Sequence, residues 1–182
     1  MANLTVYWNE YNVENIQKVL IDYIMYPKVY EKNTVIGCSK AFYYGGHNIF
    51  YYPIAMGDTA SVAMQMSDVI QYFGKEYGQC LIHFSLNFAS IGEDFDITAE
   101  DANRIGDFIC KKFFYQFQII YAVHQNRESH LHIHFVLNGV NLQTGKKPRR
   151  DFSMFYELKN FINNCRGLNF RISSIKSHKY NG

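Results

Sequence analysis

Apolar and polar residues alternate with a period of two in some stretches of this chain and recur at three- or four-residue steps in others. The first pattern is typical of a strand with one buried face, the second of a helix with one apolar face. The alternation predicts strands at residues 4–8, 79–88, 117–123 and 130–138, and a short edge strand at 170–172. The helical spacing predicts helices at residues 13–26, 60–73, 98–114 and 154–164. Residues 33–57, rich in Tyr and Gly, predict a strand fragment and an irregular loop.

The order of these elements predicts an α+β fold, in which an antiparallel sheet carries its helices on one side. A chain of 182 residues is long enough to bury a core of its own, so we expect a single domain over residues 1–182. The helix at 98–114 has a clear start signal, because the Thr98 hydroxyl can cap the exposed amide of Asp101.

Cysteine usage and hydropathy limit the compartment of the protein. The four cysteines, Cys38, Cys80, Cys110 and Cys165, are far apart and form no Cys-x-x-Cys pair. This spacing favours reduced, packed thiols in a cytoplasmic protein over a disulfide framework or a zinc knuckle. No apolar run approaches the roughly eighteen residues of a membrane span, and the N-terminus has no basic head or long apolar segment of a secretory signal. We therefore expect no membrane insertion.

Charge is distributed unevenly along the chain. Residues 146–182 carry nine Lys and Arg against two acids, a net charge of +7, whereas residues 1–145 carry nine against fourteen, a net charge of −5. A basic end on an otherwise acidic domain indicates a polyanionic partner, although a solvated tail explains the same asymmetry about equally well.

The predicted strand at 130–138 contains the most informative chemistry. Four of the seven histidines lie between His124 and His134. Since successive strand side chains point to opposite faces, His130, His132 and His134 share one face and the intervening Leu131 and Ile133 the other. Neutral imidazole is the commonest metal ligand, so this face predicts a metal site. A histidine-rich solvated face is the simpler alternative.

Strand geometry limits which histidines can bind one ion. Side chains at i and i+2 are about 7 Å apart along a strand and those at i and i+4 about 13 Å apart, so two neighbours of the row need a third ligand from elsewhere. His124 ends the preceding strand of a predicted hairpin and can supply it, together with either His132 and His134 or His130 and His132. Three protein ligands leave positions for water or substrate, as in catalytic sites. An all-imidazole set suits Zn, Mn, Ni or Co.

Three segments resemble the conjugative relaxases of the HUH endonuclease superfamily, specifically the MobP-type mobilisation nucleases of Gram-positive plasmids and integrative elements. The first is Leu20-Ile-Asp-Tyr23-Ile-Met-Tyr-Pro27, which is similar to their N-terminal tyrosine motif. The second is His83-Phe-Ser85 followed by Gly92-Glu93 and Ile97-Thr98. The third is His132-Ile-His134-Phe-Val-Leu-Asn138, similar to their His-hydrophobe-His motif. The resemblance covers roughly residues 13–165.

The resemblance implies a relaxase that cuts one DNA strand at an origin of transfer, holds it as a 5′-phosphotyrosine and religates it after transfer. Tyr23 then matches the nucleophile, with Tyr26 the next candidate, and His124, His132 and His134 match the metal ligands. The implied ion is Mn or Mg, with Zn, Ni or Co as further options. Implied partners are single-stranded or supercoiled DNA, accessory relaxosome proteins and a coupling protein.

Further roles follow from the same resemblance. Ser85 is expected to hydrogen-bond the scissile phosphate, and Glu93, Glu128 and His83 are candidates for the base or for outer contacts of the ligands. His130 is expected to be an accessory residue at the rim. The DNA-contacting residues are expected to lie in the basic segment after the histidine strand, namely Lys146, Lys147, Arg149 and Arg150.

Two departures from the family pattern keep alternatives open. Asn126 stands where the family usually has Asp, so a carboxylate partner for the ligands must come from elsewhere or be absent. Tyr26 stands before Pro27, where the family usually has no tyrosine, and so competes with Tyr23 as nucleophile. The alternatives are a rolling-circle replication initiator of the same superfamily and a non-catalytic DNA-binding module that retains the fold.

Overall fold

The computed structural model describes residues 2–8, 11–13, 33–38, 41–42, 52–53, 59–88, 97–126, 131–149, 153–166 and 170–176. Within these ranges the strands are β1 (Ala2–Trp8), β2 (Asn33–Cys38), β3 (Ala41–Phe42), β4 (Tyr52–Pro53), β5 (Leu81–Asn87), β6 (Ile119–Asn126), β7 (Leu131–Asn138) and β8 (Phe170–Lys176). The helices are α1 (Thr59–Tyr72), α2 (Ala99–Lys112) and α3 (Ser153–Arg166). The helix predicted at 13–26 lies outside the described residues, apart from its first position.

Six of these strands form one sheet in the order β2-β6-β7-β5-β1-β8. Neighbouring strands are antiparallel except for β1 and β8, which are parallel. The short strands β3 and β4 pair separately. The predicted α+β fold with an antiparallel sheet is confirmed, and β8 occupies the predicted edge position over a longer span.

One face of the sheet is covered by α2 and α3. Aromatic side chains fill this layer: the rings of Phe84 and Phe135 stack at 4.7 Å between centroids, and Phe114 and Phe155 pack against Phe84 at 5.5 and 5.4 Å. Thr98 caps α2 as predicted, because its Oγ1 accepts a hydrogen bond from the Asp101 amide at 3.1 Å.

The opposite face is covered in part by α1, so the expectation that all helices lie on one side is wrong for this helix. Val62, Met66 and Ile70 of α1 pack in one buried cluster with Ile120 and Val136 of the sheet. The sheet strands β5, β6 and β7 therefore have apolar side chains on both faces over part of their length.

Buried amide groups hold α1 in place. The Asn138 side chain donates to the carbonyl of Met66 at 3.1 Å and to Oε1 of Gln118 at 2.6 Å, and Gln118 donates to the carbonyl of Gln65 at 3.3 Å. A buried polar group left without a partner costs about 1–3 kcal/mol, so these bonds favour one position of the helix on the sheet.

Two further expectations concern compartment. Cys80 and Cys110 are buried, as expected of packed cysteines, and the side chains of Cys38 and Cys165 lie outside the described residues. Within the described ranges, no helix has the length and apolar character that a bilayer-spanning segment needs.

Candidate metal centre

Three histidines meet where β6 and β7 form their hairpin. His124 of β6 is the register partner of His132 on β7, and His134 follows two residues later on the same face. Ring centroids are 5.3 Å apart for His124 and His132, 4.9 Å for His124 and His134, and 5.0 Å for His132 and His134. The hairpin register alone thus gathers side chains that are eight and ten positions apart in the chain.

The geometry of this histidine centre (His124, His132 and His134) fits one divalent ion. One ring nitrogen from each residue lies within 4.8 Å of the other two. Bonds of about 2.0–2.2 Å place two ligand nitrogens at most about 4.4 Å apart, so small ring rotations bring all three to a common ion. In the part of the chain that the structure describes, no other three His, Cys, Asp or Glu side chains come this close.

Burial differs among the three histidines. His124 and His134 are only 1% and 6% exposed, whereas His132 is half-buried. The His132 side chain is thus partly in contact with solvent, while the other two rings are enclosed by the protein. Three protein ligands would leave coordination positions for water or substrate, as a catalytic site requires.

A fourth histidine contacts the centre from the neighbouring strand. Nε2 of His83 on β5 lies 2.8 Å from Nδ1 of His134, and the two rings are 5.1 Å apart. Burial, and secondarily the charge of His124, lowers the pKa of His83 to about 3. Burial, followed by the charges of His83, His124 and His132, holds the pKa of His134 well below its ordinary value. Both rings are therefore neutral at pH 7, the form that can bind a metal ion.

Tyr7 and Ser85 complete the surroundings of His83. Tyr7 is the register partner of His83 across the β1–β5 pair, and its ring stacks on the His83 ring at 4.3 Å and 22°. The Tyr7 hydroxyl is 3.0 Å from Oγ of Ser85, which also accepts from Nδ2 of Asn87 at 3.0 Å. Burial raises the pKa of Tyr7, and the hydrogen bond to Ser85 lowers it less. The phenol is thus protonated at neutral pH.

The motifs in the sequence indicate Ser85 and His83 as site residues, but they do not indicate Tyr7. Ser85 is fully buried and is paired in register with His134. Tyr7 carries no motif, and only its place in the alternating stretch Leu4-Thr-Val-Tyr-Trp8 indicates its face. Its proximity to the histidines depends on the pairing of β1 with β5, which no local pattern reveals.

The basic segment lies at the other end of β7. The Lys147 ammonium donates to the carbonyls of Tyr77 and Gln79 at 2.7 and 2.9 Å, just before β5 begins. Asn138, at this end of β7, is about 13 Å along the strand from His134. Lys146 and Arg149 are exposed. Lys146 and Lys147 therefore follow the histidine strand in sequence without lying beside its histidines.

The remaining predicted site residues lie outside the described residues. They are Tyr23, Tyr26, Glu93, Glu128, His130 and Arg150. The side chain of Asn126 is also outside them, although its backbone ends β6.

Comparison with known proteins identifies relatives of this region. The family model described as "Relaxase: MobA/VirD2-like, nuclease domain" matches residues 44–166, more than half of the chain. The matched range includes α1, β5, α2, β6, β7 and α3, and hence all three members of the histidine centre. The Staphylococcus aureus protein named "Protein rlx" is 34% identical over 85 residues. That match covers 44% of this chain and 25% of the relative, so it spans a quarter of the relative's length. No solved structure matches this chain.

Proposed function

The chain belongs to the family of MobA/VirD2-like relaxase nuclease domains, and on this premise we propose that it nicks one strand of DNA at an origin of transfer. The observation that carries the proposal is the convergence of His124, His132 and His134 within the matched range. Three protein ligands leave coordination positions for water or substrate, which supports a catalytic role for this centre. The proposed substrate is supercoiled DNA whose strand is locally unpaired at the nick site.

The proposed cofactor is a divalent ion, Mn or Mg, with Zn, Ni or Co also compatible with imidazole ligands. His124, His132 and His134 would hold the ion as neutral ligands, and its undiminished charge would polarise the scissile phosphate and stabilise the negative charge of in-line displacement. His124 and His134 hold their rings within the protein, and the half-buried His132 borders the side from which the phosphate enters.

The proposed nucleophile is Tyr23. Its phenol oxygen forms a bond to phosphorus while the bond from phosphorus to the 3′ oxygen breaks. The phenol proton passes to a base, for which Glu93 is the proposed residue, and the departing 3′ oxygen takes a proton from water to become a hydroxyl, while the base returns its proton to solvent. The result is a 5′-phosphotyrosine and a free 3′-OH. One phosphoester replaces another, so the reaction can reverse and religate the strand after transfer.

Two tyrosine hydroxyls must be distinguished in this scheme. Among the residues that the structure describes, Tyr7 is a tyrosine whose ring contacts His83 and His134. Its hydroxyl, however, is hydrogen-bonded to Ser85, and burial raises its pKa. A phenol that is harder to ionise is a poorer nucleophile. Ser85 itself is proposed to support the phosphate site. For Ser85 to contact the phosphate directly, its hydroxyl has to replace its hydrogen bond to Tyr7 or to Asn87 with one to the substrate.

DNA contacts outside the reaction centre are assigned to Lys146, Lys147, Arg149 and Arg150. Lys146 and Arg149 are exposed and can reach phosphates directly, whereas Lys147 already binds two carbonyls and is proposed to position the segment. If so, Lys146→Ala and Arg149→Ala each reduce the salt dependence of DNA binding by about one phosphate contact. Arg104→Ala, on the exposed side of α2, is the matched control and leaves the salt dependence unchanged. Accessory relaxosome proteins, a coupling protein and a cytoplasmic location complete the proposal.

The test is formation of a covalent protein–DNA adduct. The full chain is incubated with Mn or Mg and a supercoiled plasmid carrying the DNA that adjoins its coding sequence, and the products are separated under denaturing conditions. We expect a protein-linked 5′ end and a relaxed plasmid. Tyr23→Phe and His134→Ala should abolish the adduct, whereas Tyr156→Phe, an exposed tyrosine on α3, should retain it.

Three outcomes would overturn parts of the proposal. An adduct that persists in Tyr23→Phe but disappears in Tyr26→Phe moves the nucleophile to Tyr26. Metal and DNA binding without any adduct indicates the non-catalytic module. An adduct formed at a replication origin, and at no other plasmid site, indicates the rolling-circle initiator.

A further inference from the structure

A polar pair, one buried residue and one half-buried, packs against the histidine centre and is not part of the ligand set. Its members are His83 on β5 and Tyr7 on β1, which are stacked on each other. His83 is 2% exposed and lies on the face that also contains Leu81 of the α1-covered cluster. Burying an imidazole costs free energy unless its nitrogens are hydrogen-bonded. An apolar residue would fill this position at lower cost if packing were its sole role.

The contact between His83 and His134 determines which nitrogen of His134 faces the histidine centre. Nδ1 of His134 is the atom 2.8 Å from Nε2 of His83, which leaves Nε2 of His134 for an ion. A neutral imidazole carries one proton, so His134 must keep it on Nδ1 when Nε2 is the ligand. Nε2 of His83 can then accept the hydrogen bond that Nδ1–H of His134 donates. This requires that the proton of the His83 ring is on Nδ1.

The Tyr7 ring and hydroxyl restrict the orientation of His83. The stacked ring lies 4.3 Å from His83 and 6.2 Å from His134. Its hydroxyl is bound to Ser85 Oγ, which Asn87 also contacts, and Asn87 further donates to Thr5 at 3.2 Å. Tyr7 is therefore anchored at both its face and its tip.

We propose that His83 is a positioning residue for the metal ligand His134, and that Tyr7 in turn holds His83 in place. Metal-bound histidines commonly donate their second ring N–H to a carboxylate, a carbonyl or water, which orients the ring and sets its tautomer. In this chain a neutral imidazole fills that role. This inference rests on the proposed metal centre. It adds a specific consequence: the centre gains no negative charge from this outer partner.

The test compares metal affinity among variants of the full chain. Mn(II) and Co(II) binding are measured by calorimetry for the unaltered protein, His83→Gln and His83→Met. Methionine keeps the volume but offers no effective acceptor, so His83→Met should weaken binding by about 10- to 100-fold. The Gln side-chain oxygen can replace Nε2 as acceptor, so His83→Gln should retain most of the affinity. The visible spectrum of bound Co(II), which reports its ligands, should be the same in the unaltered protein and His83→Gln.

A second pair of variants tests Tyr7. Tyr7→Phe keeps the stacked ring and should reduce affinity less than Tyr7→Leu, which removes it. Should His83→Met fail to fold, as circular dichroism would show, His83→Glu serves instead. Its carboxylate accepts the same hydrogen bond, and metal affinity should equal or exceed that of the unaltered protein.

Specific results would overturn the inference. Unchanged affinity in His83→Met, or weaker binding in His83→Glu, shows that His83 does not position His134. Equal losses in His83→Gln and His83→Met, with an altered Co(II) spectrum, show that His83 is itself a ligand. If the unaltered protein binds neither ion, the proposed metal centre fails, which is a different outcome from failure of the positioning role alone.

Discussion

The two ends of one sheet face differ in what covers them. At one end, Ile120 and Val136 lie beneath α1 in a closed apolar cluster. At the other end, the same face of the same two strands carries His124 and His134. A helix covers the first end and makes it part of the core. The second end keeps one ring nitrogen of each of the three histidines within 4.8 Å of the other two, and the His132 side chain is partly exposed.

The difference shows that a strand can carry a functional site without any change in its pairing or in the alternation of its side chains. β6 and β7 keep the same pairing and the same alternation from end to end. What changes is the residue type on one face and the extent of the covering helix. Residues that stabilise the fold and residues of the histidine centre therefore lie at neighbouring positions of the same strands. Substitutions should affect stability and metal binding separately.

Met66→Ala should cause the largest loss of stability. Met66 is fully buried where α1 meets the sheet, and removing a buried methionine side chain costs about 2–5 kcal/mol. Urea unfolding should show this loss, while the number of metal ions bound per folded chain stays the same. Loss of metal binding in the folded variant would show that the two ends are not independent.

His134→Ala should have the opposite result. A ligand that binds the folded state alone stabilises it by about 2.7 kcal/mol at a hundred times its dissociation constant. The unaltered protein should therefore melt at higher temperature with Mn(II) than with EDTA, and His134→Ala should show no such shift. A metal-induced shift that survives the substitution would contradict the assigned ligand set.

Acid should destabilise the histidine end when metal is removed. The pKa of His83 is lowered to about 3 and that of His134 well below its ordinary value, both chiefly by burial. The unfolded state thus binds protons below about pH 6.5 that the folded state does not bind. Between that pH and about 3, the lowered pKa of His83, the free energy of unfolding should fall by up to about 1.4 kcal/mol per pH unit from His83, and His134 adds a loss of the same sign. Urea unfolding in EDTA measures this slope, which His83→Gln should reduce; an equal slope would exclude His83 as a source.

Lys147→Met, at the end of the sheet that α1 covers, should have the smallest effect on stability. The ammonium of Lys147 donates to two carbonyls, and a hydrogen bond contributes about 0.5–1.5 kcal/mol to stability. Lys146→Met, the matched control at an exposed neighbour, should change stability by less than about 0.5 kcal/mol. Equal effects of the two substitutions would show that Lys147 does not anchor the segment.

Features that depend on contacts between residues close in the sequence could be predicted, whereas features that depend on contacts between distant segments could not. The capped helix α2 was predicted because Thr98 and Asp101 interact within one turn. The predicted hairpin placed His124 beside the histidine strand but left two pairs of partners open, and only the resemblance to the relaxases selected His132 and His134. The position of α1 on the opposite face was not predicted, since its apolar stripe fits either face of a sheet that buries both.

The sequence by itself determined which residues share a face of each strand, because side-chain direction alternates with a period of two whatever the strand's neighbours are. Tertiary structure alone decided that Tyr7, His83 and His134 meet, because they lie on three strands whose pairings join residues 51 and 76 positions apart. It also placed Lys147 at the far end of the sheet from the histidines. Register between distant strands depends on packing of the whole sheet, and no local pattern contains that information.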